Sequence, residues 1–337
     1  MTQPHPIRLS LPSKGRLAEE ALDFLARCGL SVYRPNIRQY EATMPDLPGL
    51  TVIFQRPTDI VVSVRDGSVD FGIAGLDLVV ERSHLHPLGE AGKVIVVHEA
   101  LRFGHCALAL ATPESWPVQT VADLAAYIAA QPNPMRIATQ FPRLTRRFLG
   151  ERGMDHYTLV EAEGTLEVAP AIGYADMICD LVASGQTLRD NRLRPVADGY
   201  ILHSQAVLIA NRAALQNNPA ALKLISQLLE YIEAHLRAED NYLVIANIRG
   251  DSPEAIAQAL FNQPDLSGLQ GPTIAPVFTR DGDPWRSVSI VVRKDRIIPA
   301  VRALRAVGGS GVIVSPVKYI FEEEPPRYKA MLEALKP

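Results

Sequence analysis

The stretch from Glu161 to Leu193, EAEGTLEVAPAIGYADMICDLVASGQTLRDNRL, constrains this chain more than any other. The apolar run Met177-Ile178-Cys179 reads as a strand and ends in an acid, Asp180. Leu181 and Val182 lead into the small residues Ala183-Ser184-Gly185, and Gln186-Thr187-Leu188 reads as the start of a helix. A strand that passes through a small-residue turn into a helix aims several backbone N–H groups at one point. The helix dipole adds positive potential there, so the point suits an anion, most often a phosphate. An acid at the strand end would repel that phosphate, but it accepts hydrogen bonds from sugar hydroxyls nearby. The local chemistry is that of a phosphorylated sugar held between an N–H cradle and carboxylates. A strand–Ser–Gly–helix junction also occurs as an ordinary turn with no ligand, so the context decides.

At 337 residues the chain has room for two or three domains. Its 47% hydrophobic and 21% charged content is ordinary for a globular protein, and a net charge of −3 gives no electrostatic ground for nucleic-acid or membrane binding. No apolar run approaches the roughly eighteen residues of a membrane span. The start, MTQPHPIRLSLP, has neither a basic lead nor an apolar signal core, so a cytoplasmic protein is expected. Cys28, Cys106 and Cys179 lack CxxC spacing and read as small buried hydrophobes in a reducing compartment. The histidines form no metal-binding pattern, and His84-x-His86 beside Pro87 reads as a loop, so no protein metal site is expected.

Along the chain, strand and helix patterns alternate, which argues for an α/β architecture with mostly parallel sheets. Ile7–Leu11 reads as a strand and leads through Pro12-Ser13-Lys14-Gly15-Arg16 into a helix. Two cations and a glycine at such a junction are placed to close over a phosphate. Thr51–Gln55 is a second strand, with Thr58 or Asp59 as candidate cap of the helix through Ile60 to Arg65. Phe71–Gly75 is a glycine-punctuated strand, after which Asp77 opens a short helix. Arg136–Ala138 runs into a helix entered at Pro142, and Gly164-Thr165 reads as a helix start with Thr165 as cap. The strand-to-helix junctions at 12–16, 74–77, 139–142, 163–165 and 183–187 would all serve one cleft, because ligands of open α/β sheets gather at the carboxyl ends of strands. Beyond about Asn241 the order becomes β-α-β-β-α-β, a separate ferredoxin-like domain.

The constellation resembles the ATP phosphoribosyltransferase family, which joins ATP to phosphoribosyl pyrophosphate at the start of histidine biosynthesis. The family pattern is close to E-x-x-G-[ST]-[VL]-E-x-A-P-x-x-G-x-A-D-x-I-x-D-L-V-x-[ST]-G-x-T-L. This chain meets it at Gly164, Thr165, Glu167, Ala169, Pro170, Gly173, Ala175, Asp176, Ile178, Asp180, Leu181, Val182, Ser184, Gly185, Thr187 and Leu188. Lys14-Gly15-Arg16-Leu17, Arg56–Ile60, Asp70–Asp77, Phe103–Cys106 and Arg136–Arg147 extend the likeness over nearly the whole chain.

The resemblance implies a two-lobed catalytic part like a type II periplasmic binding protein, with 1–98 and 199–237 in the first lobe and 99–198 in the second. It implies a regulatory ferredoxin-like domain over 238–323 that binds histidine as a feedback inhibitor, then a tail helix over 324–337. It further implies that Ser184, Gly185, Gln186, Thr187 and Leu188 hold the 5-phosphate of phosphoribosyl pyrophosphate. Asp180 and Asp176 would lie near the ribose hydroxyls. Lys14 and Arg16 would bind phosphates of the pyrophosphate or of ATP, and Arg56, Gly75 and Asp77 would line the cleft on the ATP side. Mg²⁺ would accompany the pyrophosphate, and the family assembles as dimers and hexamers. Pro316-Val317-Lys318-Tyr319 stands where relatives commonly carry an acid, and Arg280–Pro284 looks like an altered hairpin, so both bear on histidine inhibition. The alternative reading is a two-lobed small-molecule binding or regulatory subunit without catalysis. The intact Lys14, Arg16, Asp180 and Ser184–Thr187 segment argue against it.

Overall fold

The computed structural model describes residues 6–36, 38–83, 92–162, 164–250, 252–262, 269 and 271–336. The His84-x-His86 pair lies outside the described residues. Among the described residues fifteen strands run in chain order: β1 (Ile7–Pro12), β2 (Glu41–Thr43), β3 (Leu50–Gln55), β4 (Phe71–Gly75), β5 (Val94–His98), β6 (Cys106–Pro113), β7 (Met135–Thr139), β8 (Tyr157–Glu161), β9 (Met177–Val182), β10 (Leu193–Ser204), β11 (Ala206–Asn211), β12 (Asn241–Arg249), β13 (Thr273–Val277), β14 (Trp285–Arg293) and β15 (Gly309–Pro316). They form three sheets.

The first sheet has the order β2-β3-β1-β4-β11-β5. Here β1 runs parallel to β3 and β4, while β11 runs antiparallel to β4 and β5. The second has the order β10-β6-β9-β7-β8, with β7 parallel to β8 and β9 and β6 antiparallel to β9 and β10. Each sheet thus has three parallel strands, one reversed strand and a last strand beyond it, and the first sheet adds β2 antiparallel at its other edge. The reversed strand of each sheet enters at the edge where the parallel strands end. Both crossings between sheets, 99–105 outward and Gln205 back, therefore lie at the carboxyl edges. This is the two-lobed arrangement of a type II periplasmic binding protein.

Burial follows position. Every residue of β4 and β11 is buried, as central strands with both faces covered require. In the Arg16–Arg27 helix the buried residues Ala18, Ala21, Phe24 and Leu25 recur at helical spacing. The Val121–Ala129 helix is fixed by a reciprocal cap between Thr120 and Asp123. One hydrophobic cluster runs through both lobes, joining Leu78 and Val79 of the Leu76–Arg82 helix to Phe141, Leu144 and Phe148 of the second lobe.

Two compact units divide the chain: Met1–Leu228 with Pro326–Pro337, and Leu229–Pro325. In the second unit β13-β14-β12-β15 form an antiparallel sheet. The Pro253–Phe261 and Ile297–Ala306 helices pack on it through Ile256, Leu260, Ala300 and Leu304, which completes the βαββαβ ferredoxin-like plan.

Several expectations from sequence need correction. The return to the first lobe is at Gln205, not near Gly199, because β10 stays paired with β6 as far as Ser204↔Cys106. A register shift between Pro195 and Tyr200 interrupts the alternation and hides that continuity. The second unit begins at Leu229, inside the Pro219–Ala238 helix, and the terminal Pro326–Ala334 helix belongs to the first unit. Neither Thr58 nor Asp59 caps its helix, which starts at Pro57. Thr165 sits at φ 48 before a short 3-10 turn, Leu166–Val168, and its side chain caps nothing.

Candidate active site

The turn after β9 has the form read from the sequence. Gly185 precedes the Gln186–Asp190 helix at φ 71, a left-handed conformation that glycine adopts without a Cβ penalty. The Gln186 N–H donates to Ser184 Oγ at 3.3 Å. N–H groups in the first turn of a helix have no intrahelical acceptor, so this turn presents backbone donors at its start. Ser184, Gln186 and Thr187 are exposed. Leu188 is buried with Leu193 and Ile178, so its side chain anchors the helix and only its backbone belongs to the cradle. Arg189 folds back, donating to the Ser184 carbonyl at 3.2 Å and to Gln186 Oε1 at 3.0 Å.

Asp180 lies one row inside the carboxyl edge of β9, and its Oδ1 accepts from the Leu181 N–H at 2.7 Å. Burial, with the Glu167 carboxylate nearby as a smaller contribution, pushes its pKa up to about 6. Glu167 sits in the 3-10 turn beside it. Among the described residues no group of three or more His, Cys, Asp or Glu side chains is placed to hold a metal. A divalent cation arriving here would find one or two carboxylates and would take its other ligands from phosphate oxygens and water.

Cavities lined by described residues open at this edge. One, of about 700 Å³, is lined by Ser184, Gly185 and Arg189 together with His105, Cys106, Tyr200 and His203. Another, of about 540 Å³, lies between the lobes and is lined by Lys14, Arg56 and Arg82 from the first and Thr139, Gln140 and Glu161 from the second. The Lys14-Gly15-Arg16 turn serves both. Lys14 lines the interlobe cavity, while Arg16 donates to the His105 carbonyl at 3.4 Å at the rim of the other. Cys106 is half-buried here, not the buried hydrophobe expected. Burial first, with Asp77 next, raises its thiol to about 11, and Arg16 and Asp180 also act on it.

Three expected site residues have other partners. Asp176 precedes β9 at its amino end, the opposite end from the turn. Arg136 grips its carboxylate at 2.7 and 3.2 Å, and the Arg136 N–H adds a third contact at 2.8 Å. That guanidinium holds Asp176 below the usual carboxylate range. Asp77 is buried and turned toward the second sheet. Ser204 Oγ donates to its Oδ1 at 2.5 Å and accepts from its N–H at 3.0 Å. Burial raises the Asp77 pKa above the ordinary value. A Cβ on Gly75 would run into the Asp77 carboxylate, so Gly75 makes room for this lobe-to-lobe contact.

Sequence reasoning missed Glu81. Its two carboxylate oxygens accept from the N–H groups of Arg143 and Leu144, each at 2.9 Å. A first-lobe acid thereby caps the Pro142–Gly150 helix of the second lobe, and that helix start is not open to a phosphate. No signal in the sequence links residues 62 and 63 positions apart. Arg189 was findable, since it lies within one helical turn of Gly185.

Comparison with known proteins agrees with this geometry. The sequence model of the ATP phosphoribosyltransferase family matches residues 56–234, and the model of the HisG C-terminal domain matches 238–319. The chain is 46% identical to ATP phosphoribosyltransferase 2, chloroplastic, of Arabidopsis thaliana, over 98% of this chain and 80% of that one. It is 32% identical to the ATP phosphoribosyltransferase of Nitrobacter hamburgensis, over 98% of this chain and 99% of the other. Among solved structures, a chain of the ATP phosphoribosyl transferase (HisG:HisZ) complex from Thermotoga maritima matches the fold with a TM-score of 0.52 at 23% identity, covering 67% of this chain and 98% of that one. With its long motif and two matching domain models, the chain belongs to the ATP phosphoribosyltransferase family.

Proposed function

We propose that the chain transfers the phosphoribosyl group of phosphoribosyl pyrophosphate to N1 of ATP, giving phosphoribosyl-ATP and pyrophosphate, the first step of histidine biosynthesis. The observation that carries this reading is the Ser184–Leu188 turn opening beside Asp180 at an edge that also presents Lys14, Arg16 and Arg56. The 5-phosphate sits on the turn, and Asp180 accepts from the ribose hydroxyls. Lys14, Arg16 and Arg56 draw the pyrophosphate or ATP phosphates. The attacking nitrogen needs no protein nucleophile, so the residues act by positioning two polyanions and neutralising the leaving group. Mg²⁺ bound to the pyrophosphate would spread the charge that develops on it as it leaves. Asp180 and Glu167 are the carboxylates that would meet that ion.

The ferredoxin-like unit is proposed to bind histidine. A cavity of about 410 Å³ within it is lined by Leu243, Thr273, Ser289, Phe321 and Glu322. Glu322 follows β15, pairs with Arg237, and supplies an acid beyond the Pro316–Tyr319 segment where relatives commonly carry one. A homo-oligomer, dimer or hexamer, and a cytoplasmic location complete the proposal. No helix among the described residues is long and apolar enough to cross a membrane, and Cys28, Cys106 and Cys179 are free thiols that suit a reducing compartment.

The test is the absorbance of phosphoribosyl-ATP formed from ATP and phosphoribosyl pyrophosphate with Mg²⁺, with and without histidine. Turnover that histidine suppresses supports both parts. No turnover overturns the catalytic reading, and turnover indifferent to histidine overturns the regulatory one.

A further inference from the structure

Strand β10 carries two rings that the phosphate turn does not use. The side chains of Ile201 and Leu202 pack into the core on one face of the strand. Tyr200 and His203 lie on the other, with ring centroids 5.9 Å apart and planes within 11° of parallel. Tyr200 is 39% exposed. A large ring that is stacked from behind and open in front is a platform, and both rings line the cavity that also contains Ser184, Gly185 and Arg189.

The register of the second sheet fixes what the platform faces. Tyr200 pairs with Ala109 and Ala109 with Asp180, so these three side chains form one row on one face. His203, Ala107 and Val182 form the next row. Of these residues Ala107 contributes only a methyl group to the cavity, leaving a shallow floor with Val182 and the turn on one side and the ring pair on the other. Two strand spacings, roughly 10 Å, separate the two walls. Arg189 and Arg194 also line the cavity, against the single carboxylate Glu114, so its charge suits a nucleotide's phosphates.

We propose that Tyr200, backed by His203, is the platform on which the adenine ring of ATP stacks during attack on the ribosyl carbon. This deepens the phosphoribosyltransferase reading and rests on it. A sugar held by Asp180 and the turn presents its reacting carbon over the alanine floor. A purine lying flat on the opposite wall directs its ring edge across that floor. Stacking sets the plane of the ring and leaves the N1 edge free, which is what an attack at about 3–3.5 Å requires. Tyr200 is a positioning residue: it contacts the base and takes no part in bond making.

Steady-state kinetics of full-length Tyr200→Ala and Tyr200→Phe test the proposal. Tyr200→Ala is expected to raise KM for ATP roughly five- to hundred-fold, the effect of removing one base–aromatic stack. KM for phosphoribosyl pyrophosphate stays at the wild-type value, and Tyr200→Phe behaves as wild type. An unchanged KM for ATP, or a parallel rise of both constants, overturns the platform while leaving the phosphoribosyltransferase reading standing. If the wild-type chain forms no phosphoribosyl-ATP, that underlying reading fails, and calorimetric titration with ATP decides the platform alone. Equal ATP affinity in wild type and Tyr200→Ala then overturns it. Should Tyr200→Ala fail to fold, His203→Ala, which removes the ring behind the platform, must weaken ATP binding selectively or the proposal falls.

Discussion

Ser204 donates its hydroxyl to the buried Asp77 carboxylate at 2.5 Å, and so ties the last residue of the second lobe's β10 to the first helix turn after β4. The bond sits beside Gln205, whose carbonyl accepts from the Leu76 N–H at 2.9 Å. Removing the donor leaves a buried acid short of a partner. Ser204→Ala is expected to cost about 1–3 kcal/mol of stability. Thermal unfolding measures it, and an unchanged midpoint would show that the contact does not hold the return crossing.

Glu81 joins the same lobes from another side. Glu81→Ala leaves the Arg143 and Leu144 N–H groups uncapped, and the expected loss is about 1–2 kcal/mol, that of an N-cap. Because this contact ties together the two lobes that line the interlobe cavity, KM for both substrates should rise together. A variant with lowered stability and unaltered KM values would limit Glu81 to a cap.

Gly185→Val tests the phosphate turn. The backbone there is left-handed, which costs a residue with a Cβ about 1–2 kcal/mol, and the new Cβ would meet Arg189 Nη1 at 3.1 Å. KM for phosphoribosyl pyrophosphate should rise at least tenfold, roughly the 1.4 kcal/mol equivalent of disturbing one set of donors. The fold, read by circular dichroism, should persist. Unchanged kinetics would remove the turn from the site.

Asp180 sets a pH dependence. In its proposed role only the ionised form accepts hydrogen bonds from both ribose hydroxyls, and burial pushes its pKa up to about 6. The kcat/KM for phosphoribosyl pyrophosphate should therefore fall as pH drops through about 6, and Asp180→Asn should flatten that limb. The stability effect has the opposite sign. A carboxyl whose folded pKa is raised loses stability as pH climbs from the unfolded carboxylate value towards its folded one, so Asp180→Asn should stabilise the fold at neutral pH. A kcat/KM profile identical to that of Asp180→Asn would place the titrating group elsewhere.

Asp176 supplies the contrast. It lies four residues from Asp180 on the same face of an extended chain, and sequence alone gives both the same chemistry. The structure separates them by the length of β9, roughly 13 Å over those residues. Asp176→Asn weakens a partly exposed ion pair and should cost about 1 kcal/mol or less, with no change in KM for phosphoribosyl pyrophosphate. A selective rise in that KM would return Asp176 to the substrate.

These residues show what the sequence carried and what it did not. The strand, the Gly185 turn and the short helix after it were legible because their signals are local: an apolar run, small residues, a helix start. The alternation of strands and helices and the βαββαβ order were legible for the same reason. Asp77, Glu81 and Asp176 were misread or missed because their roles are fixed by partners far along the chain: Ser204 is 127 positions from Asp77 and Arg136 is 40 from Asp176. The return at Gln205 was misplaced because the shift within β10 breaks the two-residue period that marks a strand.

The Pro326–Ala334 helix returns to the first unit, where Arg327 grips Glu99 at 2.6 and 2.9 Å and the Ala334 and Leu335 carbonyls accept from Arg212 and Gln216. Glu99 belongs to the outward crossing, so the end of the chain holds a joint of the catalytic body. The ferredoxin-like unit is therefore a loop-in insertion tethered at both ends, not an appendage. Truncating the chain after Arg237 would strip that clasp along with the ferredoxin-like unit and confuse two losses. Excising 239–325 and rejoining the ends through a flexible linker keeps the clasp, and it is the excision whose histidine response tests the role proposed for the ferredoxin-like unit.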